Sequence, residues 1–370
     1  MKDRCRAGII GAGFIGAVHA HAVRAAGGVV TRVADSKPDR AVASAIRLHA
    51  ERAAASAEEL IAADDVDVVH ICTPNASHFR LADLAIRAGK HVICEKPLAT
   101  TLDEARQLVA AATDAHIVAA VPFVYRYYPT VREARARIAD GEAGRLHLLH
   151  GSYLQDWLAS SEDTNWRVDP AVGGASRAFG DIGVHWCDLV EFTTGHRITR
   201  LTARRMTAYE TRGGDGGWAE VGTEDSAIVM FDTDRGATGS VVLSQVCVGR
   251  KNRLWFSING TSATYVFDQE SPDSLWVGGR TENRVIARGA ESLGPAAGRY
   301  SVLPAGHPQG YQDCFNAFVA DTYDAVAGHA PDGHPTFCDG LRSAELTAAV
   351  VESAAAQAWV ALPGVIRVVS

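Results

Sequence analysis

The first 122 residues alternate short apolar runs with alanine-rich stretches of helical length, a rhythm that few folds can satisfy. The runs fall at 7–10, 29–34, 66–72, 91–94 and 117–121, and the helix-like stretches at 14–26, 39–48, 78–88 and 102–114. Strands separated by helices pair in parallel, because a parallel neighbour needs a crossover of about a dozen residues or more. The last helical stretch opens on Thr101-Leu-Asp-Glu104, a capping box whose side chains satisfy amide donors left open at a helix start.

Beyond residue 122 the texture changes. Helix-like segments at 130–140 and 181–194 flank a strand at 145–154, and runs rich in Val, Thr and Ile follow at 198–207, 226–231, 237–246, 253–258 and 263–267. Successive strands without helices between them imply an antiparallel or mixed sheet. Helices at 311–326 and 340–359 close the chain, and the glycine-rich stretches 212–217 and 278–298 read as long loops. The expected class is α/β in two domains: 1–122 on a doubly wound parallel sheet, and 123–370, an α+β domain.

The chain carries 36 Lys plus Arg against 43 Asp plus Glu, a formal charge of −7, which excludes a basic nucleic-acid surface. No run of about eighteen apolar residues occurs, so no membrane span is expected. Lys2, Arg4 and Arg6 before an apolar stretch imitate a secretory leader, but Gly11, Gly13, Gly16, His19 and His21 make a poor apolar segment. Scattered cysteines without a C-x-x-C pair argue against disulfides and structural zinc, and a cytoplasmic location with reduced thiols is expected.

Gly11-Ala-Gly13-Phe-Ile-Gly16 follows the first apolar run and opens the first helix. In that setting the glycines serve a tight turn, close approach of backbone to a pyrophosphate and close helix packing. The helix start, with Phe14 and Ile15 in its first turn, adds amide donors and a positive dipole. The plainer reading is a strand-turn-helix corner that needs positive φ. Asp35 ends the second run, where a carboxylate accepts from both ribose hydroxyls and repels a 2′-phosphate. NAD is favoured over NADP, although Ser36, Lys37 and Arg40 are groups that can hold that phosphate.

Glu95-Lys96-Pro97 follows the run at 91–94, at the carboxyl end of a parallel strand, where such sheets bind ligands. An ammonium there polarises a substrate hydroxyl as its proton leaves; the alternative is a surface lysine paired with Glu95. Asp181 and His185 share a face of a predicted helix. The imidazole suits a proton acceptor and the carboxylate an orienting partner, against the plainer pair of a helix-start aspartate and a core histidine. Tyr153, Gln155, Asp156, Trp157, Trp166 and Arg167 combine aromatic faces with polar groups, as a polyol site requires; core packing is the alternative for Tyr153 and Trp157. Tyr125 and Arg126 follow the last strand of the first domain, with Arg126 in reach of a nicotinamide or a substrate oxygen. His19, His21, His70, His78, His91 and His185 show no ligand spacing, so no metal is expected.

In this order the glycine turn, Cys72-Thr73-Pro74-Asn75 with His78, Glu95-Lys96-Pro97 and Gly180-Asp181-Ile-Gly-Val-His185 resemble the Gfo/Idh/MocA family across essentially the whole chain. That family is the glucose-fructose oxidoreductase and inositol dehydrogenase group. The resemblance implies a Rossmann domain, then a domain on a large open mixed, mainly antiparallel sheet, with the active site in the cleft between. It implies catalytic roles for Lys96, Asp181 and His185, a frequently cis bond before Pro97, and cofactor contacts from Thr73, Pro74, Asn75, His78 and Glu95. Residues 152–157 and the ending at 351–360 resemble the branch of levoglucosan dehydrogenase and related sugar 3-dehydrogenases. That implies oxidation of a secondary hydroxyl, at C3, of a sugar, glycoside or cyclitol. Relatives commonly pair through the open face of the second sheet, so a homodimer or homotetramer is expected. Two other functions fit the same residues: glycoside cleavage through transient C3 oxidation by a retained NAD, and a regulator that binds NAD and sugar without turnover. The presence of Lys96, Asp181 and His185 weighs against the regulator.

Overall fold

The structure, a computed structural model, describes residues 4–214 and 217–363. It divides into two compact units, one of residues up to Val124 with Tyr311–Ala344, the other of Tyr125–Gly310 with the residues from Glu345 on. The helix Tyr311–Val326, far along the chain, groups with the first unit. Its Phe315 ring packs edge-on against His19 at 5.1 Å, and Gln312 donates to the Val18 carbonyl at 3.2 Å.

In the first unit, strands β1 (Arg6–Ile10), β2 (Val29–Ala34), β3 (Arg52–Ala53), β4 (Val68–Ile71), β5 (His91–Cys94) and β6 (Ala119–Ala120) form one parallel sheet in the order β3-β2-β1-β4-β5-β6. Helices α1 (Phe14–Ala25), α2 (Pro38–Arg47), α3 (Ala57–Ala62), α4 (His78–Arg87) and α5 (Leu102–Asp114) make the crossovers. The central strands are buried along nearly their whole length, as expected of a parallel sheet with helices on both faces. Neither β3 nor α3 stands out in the sequence; α3 is a single short turn set by Ser56, whose hydroxyl accepts from the Glu59 amide at 3.1 Å.

Strand direction and register fix the useful edge. Ile10 pairs with Ala34 on one side and Ile71 on the other, and Ile71 pairs with Cys94. Asp35, Gly11, Cys72 and Glu95 consequently leave the sheet at one level, on both sides of the point where strand order reverses between β1 and β4.

The second unit is built on a nine-stranded mixed, mainly antiparallel sheet. Its one parallel pairing joins Thr238–Ser244 to Leu146–Leu154. The helix Val184–Thr194 packs on this sheet through Trp186, whose indole donates to the Trp255 carbonyl at 2.9 Å. Gly151 makes room for that contact, since a Cβ there would lie 2.1 Å from the Trp255 oxygen. Both expected glycine-rich loops contain regular secondary structure among the described residues. Thr211–Gly214 and Gly217–Glu220 form a hairpin, with residues 215 and 216 outside the described ones, because buried Arg212 anchors it to the Ser160, Asp163 and Leu158 carbonyls. The stretch 278–298 contains a strand, Asn283–Ala287, and a short helix, Pro295–Gly298.

The capping box at α5 is present, with the Thr101 hydroxyl accepting from the Glu104 amide at 3.3 Å and the Glu104 carboxylate from the Thr101 amide at 3.2 Å. Thr101→Ala is expected to cost about 1 kcal/mol, read as a lower urea midpoint with unchanged m-value. An unchanged midpoint would show that the cap contributes nothing.

Candidate active site

The glycine turn shows why each glycine stands where it does. Gly11 has φ of 90°, and a Cβ on it would lie 2.6 Å from the Cys72 carbonyl oxygen. A Cβ on Gly16 would lie 2.1 Å from the Gly11 oxygen, so the turn and α1 can close only without side chains. Gly13 differs: nothing lies within 4 Å of its Cβ position, so the protein itself does not require glycine there. What suits it is a ligand whose phosphate comes against the backbone. The α1 start has no side-chain cap and no acidic residue in its first turn, and Phe14 is exposed, which leaves amide donors facing outward. These residues fit a dinucleotide. Arg47 braces the turn through the Ala12 carbonyl, a role the sequence did not signal.

Asp35 is oriented by its neighbours. Its Oδ1 accepts from the Ser36 amide at 2.7 Å and hydroxyl at 3.2 Å, and pairs with Arg40 at 3.3 Å. Two of the groups able to hold a 2′-phosphate are thus turned toward the carboxylate, while Lys37 is exposed at the start of α2. Thr73, Pro74 and Asn75 follow β4, and Glu95 and Lys96 follow β5, with the Lys96–Pro97 bond cis. His78 is fully buried, with Nδ1 2.7 Å from the Pro97 oxygen and Nε2 2.9 Å from the Thr73 oxygen. Burial lowers its pKa, and its part is to tie the two motif turns together.

In the second unit Asp181 lies in a π turn, Phe179–Gly183, that leads into the α-helix bearing His185, so the expected helix at 181–194 begins irregularly. Such turns recur at functional sites. The Asp181 carboxylate pairs with Arg167 at 3.4 Å and accepts from the Gln245 amide at 2.8 Å, and Arg167 lies over the Trp166 ring at 4.3 Å. The His185 ring meets Tyr125 edge-on at 5.1 Å. Tyr125 bonds Tyr153, Tyr153 donates to Asn252 Oδ1 at 2.8 Å, and Gln155 donates to the same oxygen at 2.7 Å. Gln155 Oε1 in turn accepts from the Trp157 indole at 2.8 Å. Six expected substrate residues, Tyr125, Tyr153, Gln155, Trp157, Trp166 and Arg167, thus join Asp181 and His185 in one constellation.

Arg126 makes a two-pronged pair with Asp188, with Nε 2.8 Å from Oδ2, and lies over the Phe192 ring. Asp156 is likewise taken, by Lys251 at 2.7 Å.

Sequence reasoning missed Gln245 and Asn252 because neither has a local signature. They meet Gln155 through register: Leu154 pairs with Ser244 in parallel and with Arg253 antiparallel, so the residues just beyond those strand ends are brought side by side. Behind Gln245 sits buried Arg177, paired with Asp225, which also takes Arg212 at 2.7 Å and the Ala208 amide at 2.7 Å. Burial alone would push the Asp225 carboxyl up, but the Arg177 pair with Arg212 outweighs it and holds it below the usual carboxylate range. Arg177 can only donate, so the Gln245 oxygen, 3.4 Å away, must face it. The Gln245 NH2 then faces Asp181, which must accept. Among the described residues no group of His, Cys, Asp and Glu is placed to hold a metal ion.

Comparison with known proteins covers both units. Residues 5–123 match the family described as "Oxidoreductase family, NAD-binding Rossmann fold", and residues 131–266 its "GFO/IDH/MocA C-terminal domain". The chain is 33% identical to levoglucosan dehydrogenase of Pseudarthrobacter phenanthrenivorans, over 96% of this chain and 97% of that one. It is 31% identical to 1,5-anhydro-D-fructose reductase of Ensifer adhaerens, over 90% and 91%. Among solved structures, levoglucosan dehydrogenase in complex with NADH and L-sorbose superposes with a TM-score of 0.92 at 32% identity, over 98% of this chain and 100% of that one. With its motifs, both sheets and both matched regions in agreement, the chain belongs to the Gfo/Idh/MocA family of NAD-binding oxidoreductases, whose members act on sugars and polyols.

Proposed function

We propose that the protein oxidises a secondary hydroxyl of a neutral sugar, glycoside or cyclitol, at C3, with NAD. The observation that carries this reading is the network of uncharged hydrogen-bonding groups, Gln155, Asn252, Tyr125 and Tyr153, that reaches Asp181 through Gln245, with Arg167 paired to Asp181 and the Trp157 and Trp166 rings beside them. A pyranose presents hydroxyls that both donate and accept, and C–H faces that pack on aromatic rings. The relatives named for levoglucosan and for a complex with L-sorbose support the same class.

Bound NAD supplies the hydride acceptor. The protein supplies the rest: Lys96 donates to the reacting oxygen, His185 takes the hydroxyl proton, and Asp181, fixed as an acceptor by Gln245, orients a neighbouring hydroxyl or the imidazole. Gly11, Gly13 and Gly16 with the α1 start hold the pyrophosphate, Phe14 and Ile15 flank it, Asp35 with Ser36 takes the adenosine ribose, and Thr73, Pro74, Asn75 and Glu95 line the nicotinamide half. Chains pair through the sheet face carrying Ile228, Met230 and Val242, which are exposed side by side across two strands. Light scattering should then return a multiple of 39.3 kDa, and the single-chain mass would reject pairing.

A screen of sugars, glycosides and cyclitols with NAD, followed at the near-ultraviolet absorbance of reduced nicotinamide, tests the reading. Absorbance should rise with a neutral pyranose or cyclitol. Release of aglycone without accumulating NADH would point to redox-assisted cleavage, and binding without either product to a sensor. Lys96→Ala is expected to keep NAD binding and lose roughly 10²- to 10⁴-fold in turnover, the range for positioned acid/base help. Full activity would remove Lys96 from the chemistry. Asp35→Ser should raise NADP use relative to NAD, and an unaltered ratio of the two kcat/KM values would dismiss Asp35 as the ribose reader.

A further inference from the structure

Glu95 is the end of a buried chain of titratable groups that the proposed chemistry does not use. Its Oε1 lies 3.1 Å from His19 Nε2, His19 Nδ1 lies 3.0 Å from His70 Nδ1, and His70 Nε2 lies 3.0 Å from the Tyr323 hydroxyl. The four come from α1, β4, the end of β5 and the helix Tyr311–Val326, and all are buried. Their placement is specific: a Cβ on Gly28 would come within 2.8 Å of the Tyr323 ring.

The direction of the chain follows from counting hydrogens. Two imidazole nitrogens in contact share one hydrogen, so one ring donates and the other accepts. The Tyr323 hydroxyl has His70 as its hydrogen-bond partner among the described residues, and a buried hydroxyl hydrogen left unbonded is costly. It therefore donates to His70 Nε2. Burial holds the pKa of His70 well below its ordinary value, so that ring is neutral and carries its hydrogen on Nδ1. His70 donates to His19 Nδ1, and His19 donates from Nε2 to Glu95 Oε1, which accepts. Burial alone would push the Glu95 carboxyl up, but the His19 hydrogen bond, with Lys96 and His78 nearby, holds it below the usual range. The second Glu95 oxygen accepts from the Lys96 amide at 3.2 Å. The other titratable groups facing the chain are Cys72 and Cys94 beside Glu95, and Cys5 and Asp67 beside Tyr323.

We propose that His19, His70 and Tyr323 are positioning residues that hold Glu95 as an oriented anion beside Lys96, with Tyr323 setting the direction of the whole chain. The consequence for turnover rests on the reading of Lys96 as catalytic, but the chain itself does not.

Nitrogen-15 NMR of histidine-labelled full-length protein reads both tautomers directly, with no substrate. His19 is expected with its hydrogen on Nε2 and His70 with its hydrogen on Nδ1. A hydrogen on His70 Nε2, or two on His19, overturns the proposal. Tyr323→Phe keeps the ring that packs against Gly28 and removes the directing hydroxyl. In that variant the Nδ1-protonated share of His70 should fall, and the kcat/KM profile for an oxidised sugar should move to lower pH as negative charge beside Lys96 is lost. Unchanged tautomers, or a profile scaled down equally at every pH, would leave Tyr323 a packing residue and sink the proposal. If no sugar is oxidised, the proposed function falls while the tautomers still decide the chain.

Discussion

A sheet consumes the backbone donors and acceptors of its own strands, so polar side chains become available for chemistry where strands end together. Both units are organised by that constraint. In the first, Ala34, Ile10, Ile71 and Cys94 are paired at one level, and everything of chemical interest begins one residue later. In the second, Leu154, Ser244 and Arg253 end at one level, and Gln155, Gln245 and Asn252 meet there. A register slip of one residue in any of these strands would turn the following side chain to the opposite face. The hydrophobic alternation that fixes each register for the core therefore also aims the site.

Direction within the polar networks comes from groups that can act in only one sense. A guanidinium only donates, and Arg177 thereby fixes the Gln245 amide and makes Asp181 an acceptor. Burying that guanidinium is costly in isolation, and the Asp225 carboxylate offsets it, with Arg212 and the Ala208 amide filling its remaining capacity. Arg126 likewise pairs with Asp188, on the same helix that carries His185, and so ties the residues after the first unit to that helix. The two arginines have the same chemistry, and only the partner that folding brings to each decides its part.

The first unit was largely legible because its signals are local. Strand, glycine turn and helix succeed one another within a few residues, α5 announces its start with Thr101 and Glu104, and Lys96 declares itself by following an apolar run. The partners of His78 and Arg126 were not legible, because residue type and motif place a side chain near a site without saying which way it turns. Gln245 and Asn252 were invisible because they become neighbours of Gln155 only when strands about 90 residues apart pair. The helix at 311–326 is legible as an element, but its grouping with the first unit is not, since nothing in its own periodicity names the surface it will cover.

The composition of the second constellation bears on selectivity. Its amides are saturated by each other: the Asn252 oxygen takes two donors and the Gln155 oxygen takes the Trp157 indole, so little adaptable capacity is left. A network with fixed polarity holds each remaining donor and acceptor in a fixed direction, and a ligand must present the complementary group or leave a desolvated one unpaired. That penalty, about 1–3 kcal/mol for each group, is of the size that separates a hydroxyl-bearing ligand from its deoxy analogue. The polarity imposed by Arg177 thus extends past Asp181 to the ligand, and discrimination among similar sugars would rest on a charge that none of them touches.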